Sequence, residues 1–212
     1  MIAALARGGR ALGERDWVAR AERAAEFVWA RLRDAATGAL RRRWRDGEAA
    51  MDGQLDDYAH AARACLELFA ATHAPRWLAR ALALTDTMIE RLWDDEYGGF
   101  FECGADASGI RVRMKDGFDG AETAGNSIAA HVLVRLARLT GRADLGEKAR
   151  RTLGYHAARL AGGAWAMPQL VATMLESLSP PRHVVIAGED SPERESLLAV
   201  YESKFRPFDD LV

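Results

Sequence analysis

A self-similarity at a fixed offset constrains this chain more than any single motif. Displaced by 60 residues, Trp17, Ala19, Arg20 and Ala21 fall on Trp77, Ala79, Arg80 and Ala81. The same displacement lays Arg31, Leu32, Asp34 and Gly38 on Arg91, Leu92, Asp94 and Gly98. That makes eight identities over 17–40 against 77–100, where roughly two or three would arise by chance in so alanine- and arginine-rich a chain. A displacement of 68 residues carries the pattern on more weakly, with Ala61, Ala62, Leu68, Thr72 and Ala81 on Ala129, Ala130, Leu136, Thr140 and Ala149. Three copies of one unit are expected. The period is too long for tetratricopeptide repeats, which recur at about 34 residues.

Each copy reads as two helices. Apolar residues recur at helical spacing in 57–72 (Tyr58, Ala61, Ala62, Cys65, Leu68, Phe69), and Trp77, Ala81, Leu84 and Met88 form one stripe of the next helix. The third copy repeats this with Ile128, Val132 and Leu136, followed by a second helix over about 144–160. Small residues crowd the first helix of each pair, which allows the close approach an inner ring needs. Short turns close each pair, whereas long glycine-rich segments at about 36–54 and 94–124 join one pair to the next. Small β-hairpins are expected there, at 98–101 and 110–113. Loops of that length in a compact helical domain are usually functional, and all of them emerge at one end.

The expected fold is therefore mainly all-α: three hairpins of a partial α/α toroid, at about 1–36, 55–93 and 125–160, within a domain over 1–179. Pro180 and Pro181 stop the helices. His183 to Gly188 reads as a buried strand, and Ser191-Pro192 as the start of a helix through about Lys204, forming a strand–helix appendage over 180–212. The amphipathic pattern begins at Met1 without an N-cap, and a second strand is due near Asp209. A piece of a longer parent is expected, and with it exposed apolar flanks that favour self-association.

Charge narrows the function classes. With 29 Lys and Arg against 31 Asp and Glu, the chain lacks the basic excess of a nucleic-acid binder. No apolar run approaches the ~18 residues of a membrane span. Cys65 and Cys103 lie far apart without metal-ligand spacing, so reduced thiols, a cytoplasmic setting and no metal are expected. No dinucleotide, P-loop, nucleophile-elbow or zinc-protease motif appears, and no cofactor is expected.

Two polar clusters stand at the starts of first helices, Leu55 to Ala59 and Asp119 to Ser127. Capping of free backbone N–H groups accounts for Asp56, Asn126 or Ser127. Asp57 with Tyr58, and Asp119 with Glu122, exceed what capping requires. Packed helices ~8–10 Å apart could bring such carboxylates ~6.5–9.5 Å apart, the separation of the acid and base in an inverting glycosidase. Asp57, Glu122 and Asp119 are thus the catalytic candidates, with capping as the open alternative. The Arg41–Arg45 run is either a solvated face or an anion contact. Arg113 and Lys115 either pair with nearby carboxylates or meet a substrate. Trp44, Trp93, Tyr97, Phe100 and Phe101 suit stacking on sugar faces, or else pack the loops. His60 and His131 have no partner at ligand spacing and read as packed or hydrogen-bonded imidazoles.

These residues together carry a resemblance. Leu55-Asp-Asp-Tyr-Ala59, Gly98-Gly-Phe-Phe101, Arg113-Met-Lys115, Asp119-Gly-Ala-Glu122, Gly125-Asn-Ser127, Ala166-Met-Pro-Gln169 and Ser179-Pro-Pro181 follow in the order seen in the thioredoxin domain-containing, spermatogenesis-associated-protein family. The chain resembles that family's C-terminal part over essentially its whole length. The resemblance implies a thioredoxin-like domain followed by an (α/α)6 toroid of six-hairpin glycosidase type, related in shape to N-acylglucosamine 2-epimerases. It also implies that the thioredoxin-like domain and about half of the toroid lie outside this chain, in cis or on a partner chain. The motif positions it marks are Asp56, Asp57, Tyr58, Arg113, Lys115, Asp119, Glu122, Asn126 and Ser127. Of these, Asp56, Tyr58, Arg113, Lys115, Asn126 and Ser127, together with Trp44 and Phe101, are the expected contacts to a sugar or other small ligand. Thr123-Ala124 stands where the family commonly shows Pro-Ser, and an epimerase's catalytic histidines have no evident match. A sugar isomerase or hydrolase, a non-catalytic binding toroid serving a redox domain, and a helical scaffold remain the competing readings.

Overall fold

The computed structural model describes residues 1–107, 109–189, 191–204, 206 and 208–211. Helices α1 (Ile2–Leu12) and α2 (Arg15–Arg31) form the first hairpin, α3 (Leu55–Thr72) and α4 (Pro75–Leu92) the second, and α5 (Gly125–Thr140) and α6 (Ala143–Tyr155) the third. Each tight turn passes through a left-handed residue: Gly13 at φ 70°, His73 at φ 52° and Gly141 at φ 70°. Such a cap lets the next helix begin within two or three residues and lie antiparallel to the last. Pro75, at the first position of α4, loses nothing there because that N–H has no helical partner.

The first helices of the pairs line up as an inner layer, with α1 against α3 and α3 against α5. Alanines at the contacts, including Ala59, Ala62, Ala129 and Ala130, are fully buried. One hydrophobic core runs through all three hairpins, built around Tyr58, Trp77, Phe100 and Leu133. The 60-residue repeat is visible in the details. Asp34 and Asp94 each accept two backbone N–H groups of the turn that follows, from Ala36 and Thr37 and from Glu96 and Tyr97. Gly38 and Gly98, at φ 74° and 79°, close those two turns. Isolated bridges Arg33–Leu40 and Trp93–Phe100 then bring the chain back antiparallel at equivalent positions. Trp77 and Trp17 are equivalent too, but α2 covers only the first: Trp77 is fully buried, with its indole N–H donating to Glu22 at 3.2 Å.

The long segments differ from expectation. The hairpin lies in the first of them, as β1 (Arg41–Arg45) antiparallel to β2 (Glu48–Asp52), turning through Asp46 and Gly47 at positive φ. Residues 98–101 contribute only the bridge at Phe100, and 110–113 form no strand. The helix expected to run to about 160 breaks at His156, and α7 (Ala157–Gly163) follows, leading into a 3-10 turn at Ala164–Ala166. Pro168 then opens α8 (Pro168–Leu178), which packs on α5 as a fourth inner helix. Beyond it, β3 (Arg182–Val184), α9 (Pro192–Glu202) and β4 (Asp209–Leu211) form a small unit with the two strands parallel. β3 is shorter and more exposed than the buried strand expected there; the buried strand is β4. Ser191 caps α9 by accepting the Arg194 N–H.

Cys65 and Cys103 are buried free thiols, and burial pushes Cys65 up to about 12. Among the described residues no helix is long and apolar enough to cross a membrane.

Candidate functional site

The long segments meet over the N-terminal ends of α3 and α5, and backbone hydrogen bonds sew them there. Leu55 N–H donates to the Glu102 carbonyl at 3.0 Å, and Glu102 N–H donates to the Met114 carbonyl at 2.9 Å. Asn126, fully buried at the start of α5, pairs with Phe100 as a strand would. Its Oδ1 accepts the Phe100 N–H at 2.8 Å, and its Nδ2 donates to the Phe100 carbonyl at 2.9 Å and the Asp116 carbonyl at 3.0 Å. The buried Lys115 ammonium ties the same segment to the repeat turn, pairing with Asp94 and donating to the Gly98 carbonyl at 2.7 Å. Lys115 and Arg113 flank the Phe101 ring, 4.8 and 3.8 Å from its centroid.

Within this frame the expected carboxylates separate by role. Asp57 belongs to a capping box on α3, its Oδ2 accepting the Gln54 N–H at 2.8 Å, with Arg42 3.8 Å away. Asp119 also binds backbone: its Oδ1 accepts Ala124 N–H at 3.0 Å and its Oδ2 accepts Gln169 N–H at 2.9 Å, which caps α8. Glu122 is exposed.

Asp56, expected as a cap, makes no capping hydrogen bond. It is half-buried against α5, where a Cβ on Gly125 would stand 2.6 Å from its Oδ1. Burial raises its pKa; His60 and Arg42 oppose the rise, and Asp57 and Glu122 add to it. His60, one turn on, donates from Nε2 to the Thr123 carbonyl at 3.2 Å, the hydrogen-bonded imidazole expected.

The remaining expected contacts fall away from these groups. Tyr58 is buried, and its hydroxyl accepts the Leu40 N–H at 2.9 Å. Ser127 is buried with no hydrogen-bond partner among the described residues. Trp44 lies against α2, edge-on to Phe27 at 5.8 Å. Phe100 and Trp93 pack on each other rather than line an opening, whereas Tyr97 is exposed. The arginine run is β1, where Arg41 pairs with Asp52 and Arg42 reaches Gln54 and Asp57.

Sequence reasoning missed two groups. Glu102 is held by the Asp116 N–H, which donates to its Oε1 at 3.1 Å. Burial pushes its carboxyl up to about 7; that N–H and Arg42 oppose the rise, and Asp56 and Asp116 add to it. Two acids with raised pKa thus share one neighbourhood, which marks it as a candidate acid–base site. The repeat gave no signal for Glu102, because the equivalent position is Arg42, of opposite charge. The second group is His156, fully buried at the break between α6 and α7, with no partner for either ring nitrogen among the described residues. Burial pulls its pKa down to about 4, with help from Arg159 and Lys115, against Asp116 and Asp119. No group of three or more metal-ligating side chains occurs among the described residues.

The chain is 33% identical over 220 residues to spermatogenesis-associated protein 20 of Mus musculus, covering 98% of itself and 28% of that protein. The human protein of the same name is 30% identical with the same coverage. The chain thus spans little more than a quarter of the curated relatives it matches. Among solved structures, a family 76 alpha-mannanase of Bacteroides thetaiotaomicron superposes with a TM-score of 0.65 at 14% identity, covering 82% of this chain and 49% of that one. A cellobiose 2-epimerase of Bacillus thermoamylovorans superposes with a TM-score of 0.58 at 14% identity, over 72% and 41%. The fold is part of an α/α toroid of six-hairpin glycosidase type. Its residues 51–166, more than half of the chain, match the glycosyl hydrolase family 76 description, and the chain belongs to that family.

Proposed function

We propose that this chain is a carbohydrate-active toroid segment that works by proton transfer, with Asp56 and Glu102 as its acid–base pair. The observation that carries the reading is that burial raises the pKa of both of these carboxyl groups, alone among the described carboxyl groups at the rim. An acid near 7 is half protonated at neutral pH, which suits it to give and to take a proton within one cycle. Asp57 and Asp119, bound to backbone N–H groups, hold the helix starts beneath the pair. The names of the family and of its structural neighbours supply the substrate class: a hexose-containing saccharide, hydrolysed or epimerised. The setting proposed is cytoplasmic, with the rest of the toroid and a thioredoxin-like domain in cis or on a partner chain.

The second reading, a binding or scaffold domain for a redox partner, is favoured by the number of motif residues with structural partners: Asp57, Tyr58, Lys115, Asp119 and Asn126.

Ligand-observed NMR against mono- and disaccharides tests the choice, with Asp56→Asn and Glu102→Gln beside the unaltered chain. Selective binding with turnover lost in both variants supports the acid–base pair. Binding unchanged in both, without turnover, supports the second reading.

A further inference from the structure

Below the rim, α1, α3, α5 and α8 enclose a cavity of about 530 Å³. Its floor is the C-terminal unit, held from beneath: Arg135 donates to the buried Asp210 at 2.9 Å, and Arg138 donates to the Phe208 carbonyl at 3.3 Å. The cavity is therefore a pocket with a fixed base. It lies within the size range of small-molecule sites, roughly 300–1,000 Å³.

The charges on its wall are unevenly paired. Arg10 faces Glu202 at 3.8 Å, Arg206 faces Asp209 at 3.6 Å, and Arg135 lies between Glu176 and Asp210. Glu176 also takes a hydrogen bond from His131 Nδ1 at 3.0 Å. Arg7, Arg63 and Lys204 make no ion pair or hydrogen bond among the described residues, and Arg63 Nε is wholly buried without a partner. Burial works against the Arg63 charge, Glu67 one turn away favours it, and Arg7 opposes it. Two neighbouring guanidinium groups and an ammonium thus face one uncommitted carboxylate, Glu67, across a pocket open to solvent. A guanidinium whose Nε–H is buried without an acceptor is costly unless a ligand supplies one.

We infer that this pocket binds a phosphate group, free or as a phosphate monoester, through Arg63 and Arg7 with Lys204 at the floor. The guanidinium fork matches two phosphate oxygens at once, and a dianion offers acceptors enough for all three cations. A neutral sugar would leave the surplus positive charge unanswered. The inference does not rest on the acid–base pair at the rim, whose residues do not line this pocket.

Titration of the 212-residue chain at low salt, followed through arginine Nε–H resonances, tests it with inorganic phosphate, glucose 6-phosphate and glucose. Saturable shifts with phosphate are expected, weakened at least about tenfold in Arg63→Gln and several-fold in Arg7→Gln, and unchanged in Arg43→Gln on the exposed ribbon. Arg7 is exposed, so its variant keeps the test valid if Arg63→Gln does not fold. Tighter binding of glucose 6-phosphate than of phosphate assigns the pocket to a monoester, and equal binding assigns it to the free ion. Shifts that do not saturate, that glucose reproduces, or that Arg43→Gln weakens as much as Arg63→Gln overturn the inference.

Discussion

Replacing Glu102 by Gln is expected to stabilise the protein at neutral and alkaline pH while abolishing any turnover. The folded state holds this carboxyl at about 7 against an ordinary value of 4.5. The shift corresponds to roughly 3 kcal/mol between protonation states, reduced to about 1–2 kcal/mol because the group keeps partial contact with solvent. For an acid raised on folding, the protonated form favours the folded state. Its stabilising effect is complete below pH 4.5 and is lost as pH rises through 7. Gln mimics the neutral acid at every pH and keeps the Asp116 N–H satisfied. Thermal melts of the two proteins should therefore agree near pH 4.5 and diverge above pH 7. The variant should melt higher there by about 2–8 °C, at the ~2–4 °C per kcal/mol usual for a chain of this size. A variant that melts lower than the parent at pH 8, or by the same margin at every pH, would refute the reasoning. The first would show a carboxylate ionised and paired, the second a packing effect unrelated to charge.

Two further predictions concern the frame of the site. A Cβ on Gly125 would meet Asp56 Oδ1 and Leu55 Cγ at 2.6 Å, so Gly125→Ala should cost about 1–3 kcal/mol by overpacking. Denaturant midpoints would detect that loss. His156, neutral in the fold down to about pH 4, should make stability fall between pH 6.5 and 4 as the unfolded chain takes up the proton first. His156→Leu should remove roughly 3 kcal/mol of that dependence, read as the difference between the two pH–stability curves.

The hairpins were legible because a repeat carries its own confirmation. Trp17 and Trp77, Asp34 and Asp94, and Gly38 and Gly98 recur because the same turn and the same outer helix recur. The α/α fold followed from that period and from the alternation of short and long connections. The site was less legible, since an acidic residue at a helix start has two uses that one sequence cannot tell apart. Asp56 and Asp57 are neighbours, yet one caps and the other faces α5. The difference is set by Gln54 at the N-cap and by the absence of a side chain at Gly125, 70 positions from Leu55. Glu102 stayed hidden because its pKa depends on what α3 and residue 116 place around it, and no local pattern records that. The strand expected at 98–101 failed for a related reason: Asn126 and Lys115 supply the partners that a neighbouring strand would have offered to Phe100 and Gly98.

The repeat also separates what Lys115 does for the turn from what it does for the site. Burial would raise the Asp94 carboxyl, but hydrogen bonds from Lys115, Tyr97 and Glu96 bring it below the ordinary range. Removing one partner of a buried pair usually costs about 3–5 kcal/mol, because it strands the other charge. Asp34 builds the same turn from the same two backbone donors with no ammonium beside it. The turn geometry therefore forms without a lysine, although Asp34 is exposed and also takes the Thr37 hydroxyl, and Lys115→Met should cost nearer about 2 kcal/mol, since the buried Asp94 keeps its backbone partners. The loss should be concentrated where Lys115 is the tether. Hydrogen exchange should quicken at the Glu102 N–H, bonded to Met114, and at the Asp116 N–H, bonded to Glu102, while the Gly98 N–H bonded to Asp94 stays protected. Adding Asp94→Asn to Lys115→Met should then recover little stability. Loss of protection at Gly98, with most of the stability restored by the second substitution, would mean that the stranded charge dominates and that the lysine holds the turn rather than the loop over the site.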